Sequence, residues 1–171
     1  MSWDIFAYDF PRDAKSLEDL PAGFKPPSLG ERSSVIAKIR EVVPDVNFSN
    51  PAWGRIDRDG FSIELNMGRG EVCDGFAFHV RGGAGAVAVV AAILNHLDLR
   101  AVDAQTGGFF VAGQASVESF RKWQAYRDQV AAGVARKGPS PQPGDGVRRS
   151  FISVLRFRIA NLLSRWGRTN T

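Results

Sequence analysis

Two histidines and one cysteine are the side chains of this 171-residue sequence best suited to proton transfer or nucleophilic attack near neutral pH. His79 sits in Phe76-Ala77-Phe78-His79-Val80-Arg81. A strand's period of two puts Ala77, His79 and Arg81 on one side of this run, and Phe76, Phe78 and Val80 on the other. The same alternation in Phe61 to Met67 separates Ser62, Glu64 and Asn66 from Phe61, Ile63, Leu65 and Met67. Arg55 and Asp57 can join the polar set from the run Trp53 to Asp57. Side by side, these strands would carry Arg55, Asp57, Glu64, His79 and Arg81 on one sheet face. Such a face suits three roles. It can be a plain solvated surface with cross-strand charge pairs. It can be a contact surface for a partner of complementary charge. Or it can hold a His79–Glu64 general acid–base pair. No nucleophile or metal motif accompanies that pair, so no catalytic residue is assigned and an enzyme is not the expectation.

The remaining candidates read as structure. Arg81-Gly82-Gly83-Ala84-Gly85 could offer helix-start amides to an anion, but it matches neither a phosphate-binding loop nor a dinucleotide fingerprint. A tight turn into a buried helix accounts for the glycines. His96 falls near the end of an apolar helix, where it can meet the helix dipole or pack. Cys73 reads as a strand residue with no base beside it in sequence. Asp57 and Asp59 precede Gly60 without continuing into a calcium loop, and no zinc spacing exists. Neither a metal nor a cofactor is expected. Trp53, at a strand start, is expected to anchor the core, with a partner-facing role as the alternative.

The elements that would position these residues follow from periodicity and turn chemistry. Trp3 to Phe10 alternates and is aromatic, a first strand. Residues 11–32 hold four prolines and read as an irregular connection. Ser33 and Ser34 can cap a helix running to Val43, ended by Pro44. A turn-rich stretch, PDVNFSNPAWG, precedes strands at Trp53–Asp57 and Phe61–Met67, joined by Arg58-Asp59-Gly60. A third strand is expected over Cys73–Arg81, then an apolar helix over Gly83–Leu97. A last strand or hairpin spans Leu99–Ala104 and Phe109-Phe110 about Thr106-Gly107-Gly108. Ser116 opens a final helix with Val117, Phe120, Trp123 and Val130 on one side. The order predicts an α+β fold: a two-layer sandwich with a mostly antiparallel sheet and helices on one face, a ferredoxin-like variant, plus a C-terminal amphipathic helix.

Three segments are expected: an α+β body at 1–132, a Pro/Gly linker at 133–147 and a basic amphipathic helix at 148–171. The linker, GVARKGPSPQPGDGV, holds three prolines and four glycines, too many for a helix or a paired strand. The tail contains six arginines and no Asp, Glu or Lys. Wound as a helix, it puts Phe151, Ile152, Leu155, Ile159, Leu162, Leu163 and Trp166 within an arc of about 120°. Arg156, Arg158 and Arg165 flank that arc, with Ser153, Asn161 and Ser164 opposite. This pattern fits docking on the body, on a partner's groove or on an anionic membrane surface. The chain's net +4 conceals an asymmetry. Residues 136–171 carry eight basic groups and one acidic group, giving +7, and residues 1–135 carry 14 basic and 17 acidic, giving −3. A nucleic-acid-binding body is therefore not expected. MSWDIFAYDF has no signal pattern, and Ala84–Leu94 is too short to span a bilayer. The lone cysteine excludes an intrachain disulfide. The expected location is cytoplasmic, with peripheral attachment to the inner membrane through the tail as the variant.

The pattern Phe48-Ser49-Asn50-Pro51-Ala52-Trp53-Gly54, then Gly60-Phe61-Ser62-Ile63-Glu64, then Phe78-His79-Val80-Arg81-Gly82-Gly83 resembles that of a group of small bacterial α+β proteins. The resemblance spans roughly residues 1–111 and leaves out the basic tail. It implies no catalytic residue. Small proteins of this kind resemble immunity proteins, which neutralise toxins exchanged between bacteria by stoichiometric binding. The expected function is thus a non-enzymatic protein-binding module, immunity- or antitoxin-like, with Arg55, Asp57, Glu64, His79 and Arg81 at the contact. The alternatives are a membrane-surface or partner-anchored protein using the tail, and a small ligand binder or enzyme using the polar face.

Overall fold

The computed structural model describes residues 2–111, with 113, 117, 118, 120, 121, 124, 125 and 128. The chain divides into two compact units, residues 1–124 and 125–171. Every strand and helix named below belongs to the first unit. The linker and the amphipathic tail expected over 133–171, with Phe151, Leu155, Arg156, Arg158, Ile159, Leu162, Arg165 and Trp166, lie outside the described residues, as do Trp123 and Val130.

The fold is α+β. Eight strands, β1 (Trp3–Tyr8), β2 (Gly30–Glu31), β3 (Asn47–Asn50), β4 (Trp53–Arg58), β5 (Phe61–Asn66), β6 (Val72–Cys73), β7 (Phe76–Gly82) and β8 (Arg100–Asp103), alternate with two helices, α1 (Arg32–Val42) and α2 (Gly85–His96). Six strands form one sheet in the order β3-β4-β5-β7-β1-β8, and β2 and β6 form a separate ribbon. All neighbouring strands of the six run antiparallel.

Alternation decides which face is covered. Trp3, Ile5, Ile56, Ile63, Leu65, Phe78 and Val80 are fully buried, in one cluster with Val35, Ile36 and Ile39 of α1 and Val90 and Ile93 of α2. Helix α2 is apolar nearly all round and suits this depth. Phe120, from the helical residues after Val117, also reaches the cluster and packs against the Trp3 ring. The one buried charged side chain among the described residues, Asp103, accepts the Trp3 Nε1–H at 2.9 Å and the Gln105 amide at 2.8 Å. A carboxylate so placed is tolerated because its Oδ1 accepts both of these hydrogen bonds. On the other face, at the β1–β8 end, the rings of Tyr8, Phe24 and Phe109 each pack against Phe10. Arg100 lies 3.6 Å over Phe109 and donates to the carbonyls of Pro11 and Ala14. The remainder of that face, on β4, β5 and β7, carries polar residues.

Several boundaries differ from expectation. Helix α1 starts at Arg32 and not at a serine cap; the Arg32 amide donates to the Glu71 carbonyl at 2.7 Å, so a neighbouring chain segment does the work of a cap. The stretch 47–50, expected as turn, is an edge strand with a register shift, where the Asn47 side chain accepts the Ser49 amide. The single strand expected over 73–81 is two. Cys73 closes the β2–β6 ribbon, and the chain re-aims at Asp74-Gly75. Gly75 fits there because the Tyr8 ring occupies the space a Cβ would need. The expected last hairpin is present as a bridge between Val102 and Phe109.

Ile63 is the test of the face assignment. Replacing it with Asp should cost at least about 3 kcal/mol, a large share of a domain's stability. Urea denaturation followed by circular dichroism checks this, and an unchanged midpoint contradicts the assignment.

Candidate functional site

The register of the central strands assembles the polar residues into a row. Asn47 on β3 faces Arg55 on β4, Arg55 faces Glu64 on β5, Glu64 faces His79 on β7, and His79 faces Asp4 on β1. Asp57, Ser62 and Arg81 form the next row. All five residues expected at a contact surface, Arg55, Asp57, Glu64, His79 and Arg81, thus share one sheet face.

Their pairing differs from the acid–base reading. His79 Nδ1 meets Asp4 Oδ1 at 2.8 Å, and Glu64 Oε1 meets Arg81 Nη1 at 2.8 Å. His79 and Glu64 are neighbours in register, but each has another partner. Arg55 holds Asp57 with two bonds, Nε at 2.6 Å and Nη2 at 3.0 Å. Two ion pairs, Arg55–Asp57 and Glu64–Arg81, thus lie within the face, and Asp4 is hydrogen-bonded to His79. Burial works to raise the Asp4 pKa, but hydrogen bonds from His79 and Ser2 and the charges of His79 and Arg81 outweigh it, so the carboxyl titrates below its ordinary value. The carboxylate of Glu64 holds Arg81 further above its already high range.

Trp53 departs from the core role expected of it. It is 42% exposed, and its ring stacks on His79 with centroids 5.9 Å apart and planes 26° from parallel. The cause is parity: Trp53 falls on the same side of β4 as Arg55 and Asp57. Beside the indole, Asn47, Ser49, Asn50, Gly54, Arg55 and Glu64 complete a depression of about 350 Å³. A larger depression of about 590 Å³ lies where α1 begins, near β3 and β6, but its cations are engaged: Arg32 with the Gly68 carbonyl and Arg40 over the Phe48 ring.

The other candidates resolve as structure. The Gly83 amide donates to the Gly60 carbonyl at 2.6 Å, and a Cβ on Gly82 would overlap that same backbone, so this turn is packed against the β4–β5 hairpin. His96 joins the two helices through Glu41 at 2.8 Å. Burial pushes the Cys73 thiol up to about 11, away from nucleophilic reactivity. No group of three or more His, Cys, Asp or Glu side chains among the described residues could hold a metal ion. Sequence reasoning missed Asp4 and Asn47. The strand parity of Asp4 was readable, but the pairing of β1 with β7 is long-range, and Asn47 reads as turn because its strand forms only against β4.

The depressed Asp4 pKa has a direction in pH. Its stabilising contribution is present above the unfolded carboxylate's pKa, about 3.9, and is lost as pH falls through the lower folded value. Asp4→Asn should therefore be less stable than the parent at neutral pH, and the gap should close below about pH 4. Urea titrations at a series of pH values measure it; a gap independent of pH overturns the assignment.

No protein-family model matches the chain, and no curated protein or solved structure matches it.

Proposed function

We propose that this chain is a non-enzymatic protein-binding module, immunity- or antitoxin-like, whose contact surface is the open sheet face centred on Trp53 and His79. The observation that carries the reading is Trp53: a large aromatic ring held out of the core, stacked in place, among charges that already have partners. Exposed tryptophan beside arginine is the composition of interface hot spots, and a ring pinned before binding loses little freedom on contact. Catalysis has less support. Among the described residues the hydroxyl bonded to the Asp4–His79 pair, that of Ser2, donates to Asp4 and not to the imidazole, and Trp53 stacks on the imidazole. The strand order β8-β1-β7-β5, with α1 following β1 and α2 following β7, supports reading the fold as a two-layer ferredoxin-like variant with the β3–β4 hairpin added at one edge.

The test uses the Glu64–Arg81 pair. Glu64→Arg combined with Arg81→Glu keeps an ion pair while reversing both charges. The melting temperature should hold, and the complex with a toxin encoded beside this chain's gene should weaken by about tenfold or more. Neutralisation of that toxin at substoichiometric amounts would favour an enzyme instead.

A second reading rests on the sequence of 148–171. Seven large apolar residues on one arc, flanked by Arg156, Arg158 and Arg165 in a segment of six arginines, suit attachment to an anionic membrane. No described helix is long and apolar enough to cross one. Near such a surface each arginine contributes about 1 kcal/mol. Replacing Arg156, Arg158 and Arg165 with Glu should abolish cosedimentation of the full chain with anionic vesicles. A parent chain that stays in the supernatant at low salt ends this reading.

A further inference from the structure

We propose that the depression beside Trp53 is a binding site for a neutral saccharide. The argument starts from which polar atoms remain unused there. Asn47 Oδ1 accepts the Ser49 amide at 2.9 Å and the Ser49 hydroxyl at 2.6 Å, and Asn50 Oδ1 accepts the Ala52 amide at 3.0 Å. Those bonds orient both side-chain amides and leave their Nδ2 groups as donors. Arg55 commits Nε and Nη2 to Asp57, which leaves Nη1. Glu64 commits Oε1 to Arg81, which leaves Oε2 as an acceptor.

The charge state of these groups selects the ligand class. Arg55 and Glu64 each already hold a counter-ion, so an anionic or cationic ligand would have to displace one. A neutral ligand that both donates and accepts hydrogen bonds breaks none of these pairs. The indole adds a second requirement. Trp53 lines the depression and is 42% exposed although its ring also stacks on His79. A pinned, part-exposed indole favours a ligand with a flat apolar surface. A pyranose ring meets both demands, with a C–H face for the indole and a rim of hydroxyls for the amides, the guanidinium and the carboxylate. At about 350 Å³ the depression is small for a ligand site. Its openness on the sheet surface points to a dissociation constant of about 1 mM.

This site shares Trp53, Arg55 and Glu64 with the proposed protein-binding face but does not rest on that reading. The test is a nitrogen-15 NMR titration of the full chain with cellobiose, maltose, lactose and diacetylchitobiose, with sodium acetate as the ionic control. At least one disaccharide should give saturable shifts at the Trp53 indole N–H and at the side-chain amides of Asn47 and Asn50. Asn47→Asp and Asn50→Asp each keep the acceptor that holds the local turn, and replace the Nδ2 donor by a carboxylate oxygen with one added negative charge. Each should weaken binding about three- to tenfold with an unchanged melting temperature. Trp53→Ala should abolish it. No saturable shift from any of the four at about 50 mM overturns the proposal, as do shifts that acetate reproduces. Absence of saccharide binding alongside an intact protein complex counts against this site alone. Saccharide binding by a chain that forms no protein complex counts against the protein-binding reading alone.

Discussion

Strand register is the constraint on which everything else in this molecule depends. A slip of β7 by one residue against β5 would send Phe78 and Val80 to water and bring His79 and Arg81 under the helices. The register is pinned at one end of the sheet, where two turns meet. Gly60 adopts the positive φ of +82° that its hairpin turn requires, and its carbonyl takes the Gly83 amide. Gly82, also at positive φ, packs against the same backbone. The hairpin tip and the start of α2 are thus locked together, which fixes both the helix layer and the phase of β7. The row from Asn47 to Asp4 is the polar consequence of that same phase.

The two faces divide the labour of the sheet. One gives its alternate positions to a continuous apolar cluster, which supplies the stability. The other is partly covered by residues 10–24 and Phe109 at the β1–β8 end, and open over β4, β5 and β7. Because Arg55, Asp57, Glu64 and Arg81 pair with one another within the open part, their fields largely cancel. Recognition there must come from shape, from the Trp53 ring and from hydrogen-bonding atoms the ion pairs leave over. That favours short-range selectivity over long-range electrostatic steering.

Much of this was legible in the chain. The period of two in 61–67 and 76–81 separated the apolar from the polar side, although Ala77 on the polar side is also fully buried, and Asp59-Gly60 marked the hairpin. What was not legible has physical causes. Asn47, Ser49 and Asn50 carry turn chemistry, and they do make local side-chain-to-backbone bonds; their strand exists only because β4 lies beside them. The serines before Val35 resembled a helix cap, yet the first helical amide is satisfied by Glu71, a partner 39 positions away that no local rule identifies. Trp53 was assigned to the core from its size, although its parity with Arg55 already pointed outward. The partner of His79 was mistaken because Glu64 is nearer in sequence, whereas Asp4 arrives from the first strand.

The irregular β3 strand has one more effect. A sheet that stops at a straight, unbonded edge invites the next molecule to continue it. Here the incoming strand would meet a bulged backbone at 47–50, an amide at Ser49 already spoken for, and Pro51 just beyond. At the opposite margin, β8 is met by Phe109 and the amide of Phe110. Both margins of the six-stranded sheet are therefore poor templates for a strand from a second molecule.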